Sequence, residues 1–317
     1  MKIYVTGGTG FVGSNILKVA VERHRADVFA TVNKRQLIPP VAYAYDTVDM
    51  CDRDQVMSTV RAYRPDAIVH CAILSGVERW YYERELSWQS YVDATRYLTE
   101  AANEVGAKMI LISTDWVFDG TQGPAAESTP PNPINYYGVL KVVGENLLAT
   151  MGDNWAVARV AGVNGVHWAR PELPLEQNVG LGNLMTAVVA ALGQNEPFDV
   201  WEGDINMRGT ATLATEIGEM VMKIIALDRR GIFHCCGGES ATRHELAVAT
   251  AEGFGFDPGL IRSRSYTLAD QGVPSAFRVP SDSRLRAVFT AEQLAHPLSN
   301  LSEAVEELRR QVQTQTI

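Results

Sequence analysis

The chain has 317 residues, 46% hydrophobic and 21% charged, the balance of a globular protein with a full core rather than a disordered or fibrous one. Its net charge of −9 disfavours nucleic acid and anionic membrane surfaces, so neither is expected as a partner. The longest apolar stretch, near Leu184–Leu192, falls far short of the ~20 residues of a membrane span, and the four cysteines lack metal or disulfide-scaffold spacing, so no metal is assigned and a cytoplasmic location is expected.

Lys2–Thr6 reads as a short buried strand. Gly7-Gly8-Thr9-Gly10-Phe11-Val12-Gly13 follows directly, and Ser14–His24 then has helical spacing, with Ile16, Leu17, Val19, Ala20 and Val21 apolar. Strand, glycine turn and helix in that order make the setting of a dinucleotide site. Glycines let the backbone approach a pyrophosphate, and the first N–H groups of the helix face it. The candidate contacts are Gly7, Thr9, Gly10, Phe11, Val12 and Gly13. The second strand is Asp27–Val32. An acid at its end would bind a ribose hydroxyl and select NAD(H). The chain instead has Asn33, Lys34 and Arg35, whose cations suit a 2′-phosphate. NADP(H) is therefore the preferred cofactor, with NAD(H) as the other option.

Val41–Thr47, Ala67–Cys71, Lys108–Ser113 and Trp155–Val160 read as further strands, and Gln55–Tyr63, Trp88–Val105 and Tyr136–Met151 as helices. Asp52, three residues before Gln55, has the placement of a helix N-cap. This alternation predicts an α/β fold with a Rossmann-type, doubly wound parallel sheet. Ligands of such sheets bind at the carboxyl ends of the strands, where Gly7, Cys71 and Thr114 all fall. After about residue 165 the alternation breaks down. His167–Gly182 reads as a loop or lid. Asn183–Leu192, Thr210–Ile225, Ala241–Gly253 and Ser302–Gln313 read as helices, with short strands near Phe198–Trp201 and Gly231–Cys235. The expected division is a nucleotide-binding domain over 1–165, with segments near 198–230 returning to it, and a smaller, mainly substrate-binding α/β lobe over 166–317.

Three polar side chains stand out in this frame. Tyr137 and Lys141 are four residues apart on one helix, hence on one face, and a nearby cation is expected to lower the phenol pKa from its ordinary value of about 10 toward working pH. Thr114 ends a strand where its hydroxyl can hold a substrate oxygen. A hydroxyl, a phenol and an amine that converge on one carbonyl point to acid–base chemistry coupled to hydride transfer. Arg208 and Arg278 are the candidates for a substrate diphosphate, because a guanidinium binds phosphate as a fork.

With both halves in hand, the chain resembles the extended short-chain dehydrogenase/reductase superfamily, and within it the RmlD-like, dTDP-4-dehydrorhamnose reductase-like family. The resemblance is carried by Thr6 through Gly13, Arg64 through Ala72, Ser113 through Gly120, Pro133 through Lys141, and Gly144-Glu145. It continues more loosely through Gly182-Asn183, the stretch containing Asp204, Arg208 and Thr210, and Arg278 through Leu285. It implies a catalytic triad of Thr114, Tyr137 and Lys141, with Lys141 also on the nicotinamide ribose. Asp49 and Met50 would flank the adenine, Cys71 and Ala72 would line the cofactor groove, and Asp115 and Trp116 would lie beside the sugar. The implied activity is reduction of a keto group on a (deoxy)sugar nucleotide. Two alternatives stand beside it: an NAD(P)-dependent dehydrogenase of a free sugar, sugar acid or other secondary alcohol, and an NADP-binding regulatory subunit without catalysis. A helix-pair homodimer is common in the superfamily.

The departures gather near the expected sugar pocket. No tryptophan follows Arg159, where the family usually has one. His70-Cys71-Ala72 replaces the usual Asn-Ala-Ala, and Val77-Glu78-Arg79-Trp80-Tyr81-Tyr82 replaces an Asp-rich loop.

Overall fold

The computed structural model describes residues 1–37, 41–170, 176–271 and 277–317. The middle of the expected lid, 171–175, lies outside the described residues. Seven strands, β1 (Lys2–Thr6), β2 (Asp27–Val32), β3 (Ala44–Thr47), β4 (Ala67–His70), β5 (Lys108–Thr114), β6 (Trp155–Val160) and β11 (Gly231–His234), form one parallel sheet in the order β11-β6-β5-β4-β1-β2-β3. The chain winds outward from β1 in one direction and from β4 in the other, so the switch point lies between β1 and β4. A crevice for a ligand opens there in sheets of this kind. The inner strands are buried on both faces and mostly apolar, because helices cover both.

On one face α1 (Phe11–Glu22) packs against α8 (Ala214–Ala226), through Ile16, Val19 and Ala20 against Ile217, Met220 and Val221. On the other lie α2 (Arg53–Tyr63), α5 (Ala94–Val105) and α6 (Tyr136–Met151). Asp52 caps α2 as its position suggests, accepting the Gln55 N–H at 3.1 Å. The expected single helix over 88–105 is interrupted. Helices α3 (Val77–Tyr82) and α4 (Arg84–Trp88) precede a π turn at Gln89–Asp93, and only then does α5 begin. Periodicity cannot register a π turn, because the backbone remains helical while its apolar face rotates.

A second core lies beyond the sheet, between α7 (Leu184–Leu192), α9 (Arg243–Phe254) and α11 (Leu301–Thr314). On α11, Ala304, Val305 and Leu308 are buried, the inward face expected from their spacing. Three two-stranded sheets complete this half: β7 (Val163–Asn164) with β10 (Thr212–Leu213), β8 (Phe198–Gly203) with β13 (Ile261–Tyr266), and β9 (Arg208–Thr210) with β12 (Ser240–Thr242). A short α10 (Val288–Leu294) lies against β11 and α8. Among the described residues no helix is long and apolar enough to cross a membrane.

Candidate active site

The glycine turn sits at the switch point and admits no side chains where it turns. Gly7 has φ +70°, and a Cβ there would lie 2.9 Å from Ala72 Cα and N. A Cβ on Gly13 would run into the Gly7 carbonyl. The start of α1 has neither a side-chain cap nor an acid in its first turn, and Thr9 through Val12 remain at least partly accessible. Unpaired first-turn N–H groups, close backbone and a positive dipole end suit a pyrophosphate, so these residues fit a dinucleotide.

One hydroxyl ties β1 to β4 beneath this turn. Thr6 Oγ1 accepts the N–H groups of Cys71 (3.1 Å) and Ala72 (3.0 Å). With its lone pairs taken, its hydrogen goes to His70 Nδ1 at 2.8 Å. His70 is therefore neutral, with its proton on Nε2. Burial, aided by the Lys141 charge, holds its pKa down to about 3. Cys71 and Ala72 are thus held against Gly7. Asn33, Lys34 and Arg35 are exposed just past β2. Asp49 follows β3, its Oδ1 accepting the Cys51 N–H at 3.0 Å, and Met50 is buried among residues of the α2 and α5 side.

The reacting face is built by β5 and α6. Asn135 starts α6, its Oδ1 accepting the Gly138 N–H at 2.8 Å while its Nδ2 donates to Arg278 O at 3.0 Å. The first turn brings Tyr137 beside Thr114. Trp80 stacks on the phenol ring at 4.3 Å and 13°, and Tyr91 and Trp116 meet it edge-on at 5.7 and 5.9 Å. The Leu74 carbonyl fixes two of these rings, accepting Trp80 Nε1–H at 2.5 Å and the Tyr91 hydroxyl at 2.8 Å.

The electrostatics differ from the expectation that Lys141 lowers the phenol pKa. Burial pushes Tyr137 well above its ordinary value; the Thr114 hydroxyl opposes this and the Asp115 charge adds to it. The Lys141 amine is turned to the Ile112 carbonyl at 2.7 Å and lies 6.0 Å from the phenol ring centre. It is itself desolvated, which brings it down to about 8 against the pull of Cys71 and Glu145. Desolvation of the phenolate therefore outweighs the cation, and Tyr137 is held protonated.

Asp115, expected beside the sugar, is instead buried behind Thr114. Its Oδ1 accepts from Thr114 Oγ1 at 2.9 Å and its Oδ2 from Ser283 Oγ at 2.5 Å. Both oxygens are engaged inside the protein, so the carboxylate is not free to hold a ligand. Trp116 is buried against the phenol and under Gly180. The buried Arg243 anchors that overlying loop, donating to Asn178 O and Gly180 O at 2.7 Å each. Arg208 and Arg278 are exposed.

Three residues of this arrangement escaped the sequence reading. Trp80 lies in the stretch that departs from the family, and that departure was its only signal. Tyr91 was hidden by the apparently continuous helix. Ser283 lies in the Arg278–Leu285 segment that fitted loosely.

Comparison with known proteins agrees with this layout. The profile described as the RmlD substrate binding domain matches residues 1–314. The chain is similar to a dTDP-4-keto-6-deoxy-D-glucose reductase of Streptomyces niveus, 27% identical over 81% of this chain and 80% of that protein. It is also similar to the methionine adenosyltransferase 2 subunit beta of Bos taurus, 27% identical over 82% of this chain and 74% of the relative. Its fold matches the crystal structure of dTDP-4-dehydrorhamnose reductase from Bacillus anthracis in complex with NADP, with TM-score 0.77 and 21% identity over 97% of this chain and 98% of that one. The chain belongs to the RmlD substrate binding domain family.

Proposed function

We propose that the protein is an NADP(H)-dependent oxidoreductase that reduces a keto group of a (deoxy)sugar nucleotide. The observation that carries this reading is the neutral, partly buried Tyr137 phenol beside Thr114, at the carboxyl end of the same sheet as the glycine turn. Gly7 through Gly13 would hold the cofactor pyrophosphate, Cys71 and Ala72 its groove wall, Asp49 and Met50 the adenine, and Asn33, Lys34 and Arg35 the 2′-phosphate. When bound, the cofactor supplies the hydride that goes to the carbonyl carbon. Tyr137 gives its proton to the carbonyl oxygen, so the C=O becomes a CH–OH. Thr114 orients that oxygen, and Lys141 supports the nicotinamide ribose. Trp80, Tyr91 and Trp116 keep water from the phenol. Arg208 and Arg278, both exposed, would bind the substrate diphosphate. A helix-pair homodimer and a cytoplasmic location belong to the same reading, and sedimentation measures the first.

The test is calorimetric titration with NADPH and NADH, followed by NADPH oxidation in the presence of a dTDP-4-keto-6-deoxy sugar. Tighter NADPH binding and turnover of the keto sugar are expected. Tight NADPH binding with no turnover of any keto sugar nucleotide would refute the substrate class.

A second reading is a cofactor-binding subunit of another enzyme, favoured by the likeness to methionine adenosyltransferase 2 subunit beta. A stoichiometric enzyme partner on purification from the native cell supports it; Thr114, Tyr137 and Lys141, all present, speak for catalysis.

A further inference from the structure

The reduction set out above makes no use of the carboxyl group behind Thr114. Asp115 follows β5 directly and is 7% exposed. The Thr114 hydroxyl has one hydrogen and two lone pairs. The Trp116 N–H takes one lone pair at 3.2 Å, and the hydrogen goes to Asp115 Oδ1 at 2.9 Å. With Asp115 ionised, Thr114 therefore shows the reacting face only a lone pair. It can accept from the Tyr137 phenol, but it cannot donate to a ketone oxygen. With a proton on Asp115 the bond reverses: the carboxyl donates to Thr114 and the Thr114 hydrogen turns outward, which is the donor a ketone oxygen needs. Ser283 Oγ donates to Oδ2 at 2.5 Å and holds the carboxyl in place.

We infer that Ser283, Asp115 and Thr114 form a hydrogen-bond switch in which Asp115 decides whether Thr114 donates to, or accepts from, the reacting oxygen. Asp115 is then a positioning residue, and its catalytic effect rests on the reductase reading. Its surroundings allow it to change state. No cation is among the strongest influences on it, which are burial and hydrogen bonds. The titratable groups that face it are Tyr137 on α6 and Cys236 after β11, both kept neutral by burial. Burial brings Asp115 up to about 6, against the hydrogen bonds from Ser283 and Thr114.

The first arm of the test needs neither cofactor nor substrate. Infrared difference spectra of the native protein against Asp115→Asn read the protonated carboxyl stretch as pH changes. A band that titrates near pH 6 is expected. Its midpoint should rise by about one to two pH units in Ser283→Ala, and also rise in Thr114→Val, because each variant removes a donor worth roughly 1.5–3 kcal/mol to the charged form. A carboxyl that stays ionised throughout, or a midpoint that neither variant moves, overturns the switch. The second arm is the pH dependence of kcat for keto reduction. The native rate should fall by about tenfold per pH unit above that midpoint, toward a lower plateau. This limb should vanish in Asp115→Asn and move upward in Ser283→Ala. A limb that persists in Asp115→Asn overturns the inference, because a merely structural carboxyl would change stability and leave the profile in place. A protein that shows the infrared titration yet turns over no keto sugar nucleotide refutes the reductase reading alone.

Discussion

Gly138 is where the position of the phenol can be perturbed without touching the phenol itself. It follows Tyr137 in the first turn of α6, and its N–H is bound by the Asn135 cap. A Cβ there would run into the Trp116 carbonyl and come within 2.8 Å of Pro133 Cβ. Carbon atoms in ordinary contact sit about 3.5–4.0 Å apart, so Gly138→Ala forces the first turn back by roughly 1 Å. The retreat draws Tyr137 away from Thr114 and loosens its stack on Trp80. A misplacement of about 1 Å at a reacting group costs about 100-fold in rate, or about 2.7 kcal/mol of barrier. The same overpacking should cost about 1–3 kcal/mol of stability. Steady-state NADPH oxidation measures the first effect, and denaturant midpoints measure the second. Calorimetric NADPH affinity should change less than kcat, because the glycine turn follows β1 and is not part of α6. A folded Gly138→Ala protein with native kcat would refute the argument that the contact between α6 and the 115–117 turn sets the phenol's position.

Three further outcomes follow from the same geometry. Tyr137→Phe keeps the ring that Trp80 stacks on and removes only the proton donor, so turnover should drop by about 10²–10⁴ with cofactor affinity retained; native turnover would remove Tyr137 from the chemistry. Arg35→Ala should weaken NADPH more than NADH in calorimetry, and equal losses would dismiss the 2′-phosphate role. His70 falls from 6.5 in the unfolded chain to about 3 in the fold, so the unfolded chain binds more protons between those values and stability is lost as pH falls through that window. Between pH 7 and 5 the loss attributable to His70 is about 2 kcal/mol, and urea midpoints should show less acid sensitivity in His70→Asn; an unchanged sensitivity would mean that His70 is not the neutral partner of Thr6.

The strands were the most legible part of the chain. Asp27–Val32 and Trp155–Val160 lie where their largely apolar runs place them, because strands covered on both faces are mostly apolar. The Tyr136–Met151 helix was equally clear from its spacing, and the structure adds the cap, Asn135, that starts it. The break before α5 was not legible, for a π turn changes no residue preference strongly. Thr114, Tyr137 and Lys141 could be named from spacing, but their charge states could not. The phenol's state depends on rings that arrive from residues 80, 91 and 116, and on a lysine that turns to Ile112. None of those contacts is encoded in the four-residue interval between Tyr137 and Lys141. Asp115 shows the same limit: the resemblance implied a place beside the sugar, whereas its partner Ser283 is 168 positions away.

The aromatic stretch at residues 77–82 bears directly on the protonation of the phenol. Trp80 lays a flat apolar face on the phenol at 4.3 Å. An apolar neighbour raises the phenol pKa by desolvation, as buried acids generally show. A phenol held protonated far above neutral pH is ready to give a proton to a carbonyl oxygen, whereas oxidation of an alcohol must begin from the phenolate and meet that desolvation cost first. The aromatic wall thus keeps the phenol protonated, and Lys141, brought down only to about 8, still carries its charge at neutral pH. The aromatic face of Trp80 therefore keeps the phenol protonated while making it a weaker acid, so proton transfer to the carbonyl oxygen must be coupled to arrival of the hydride.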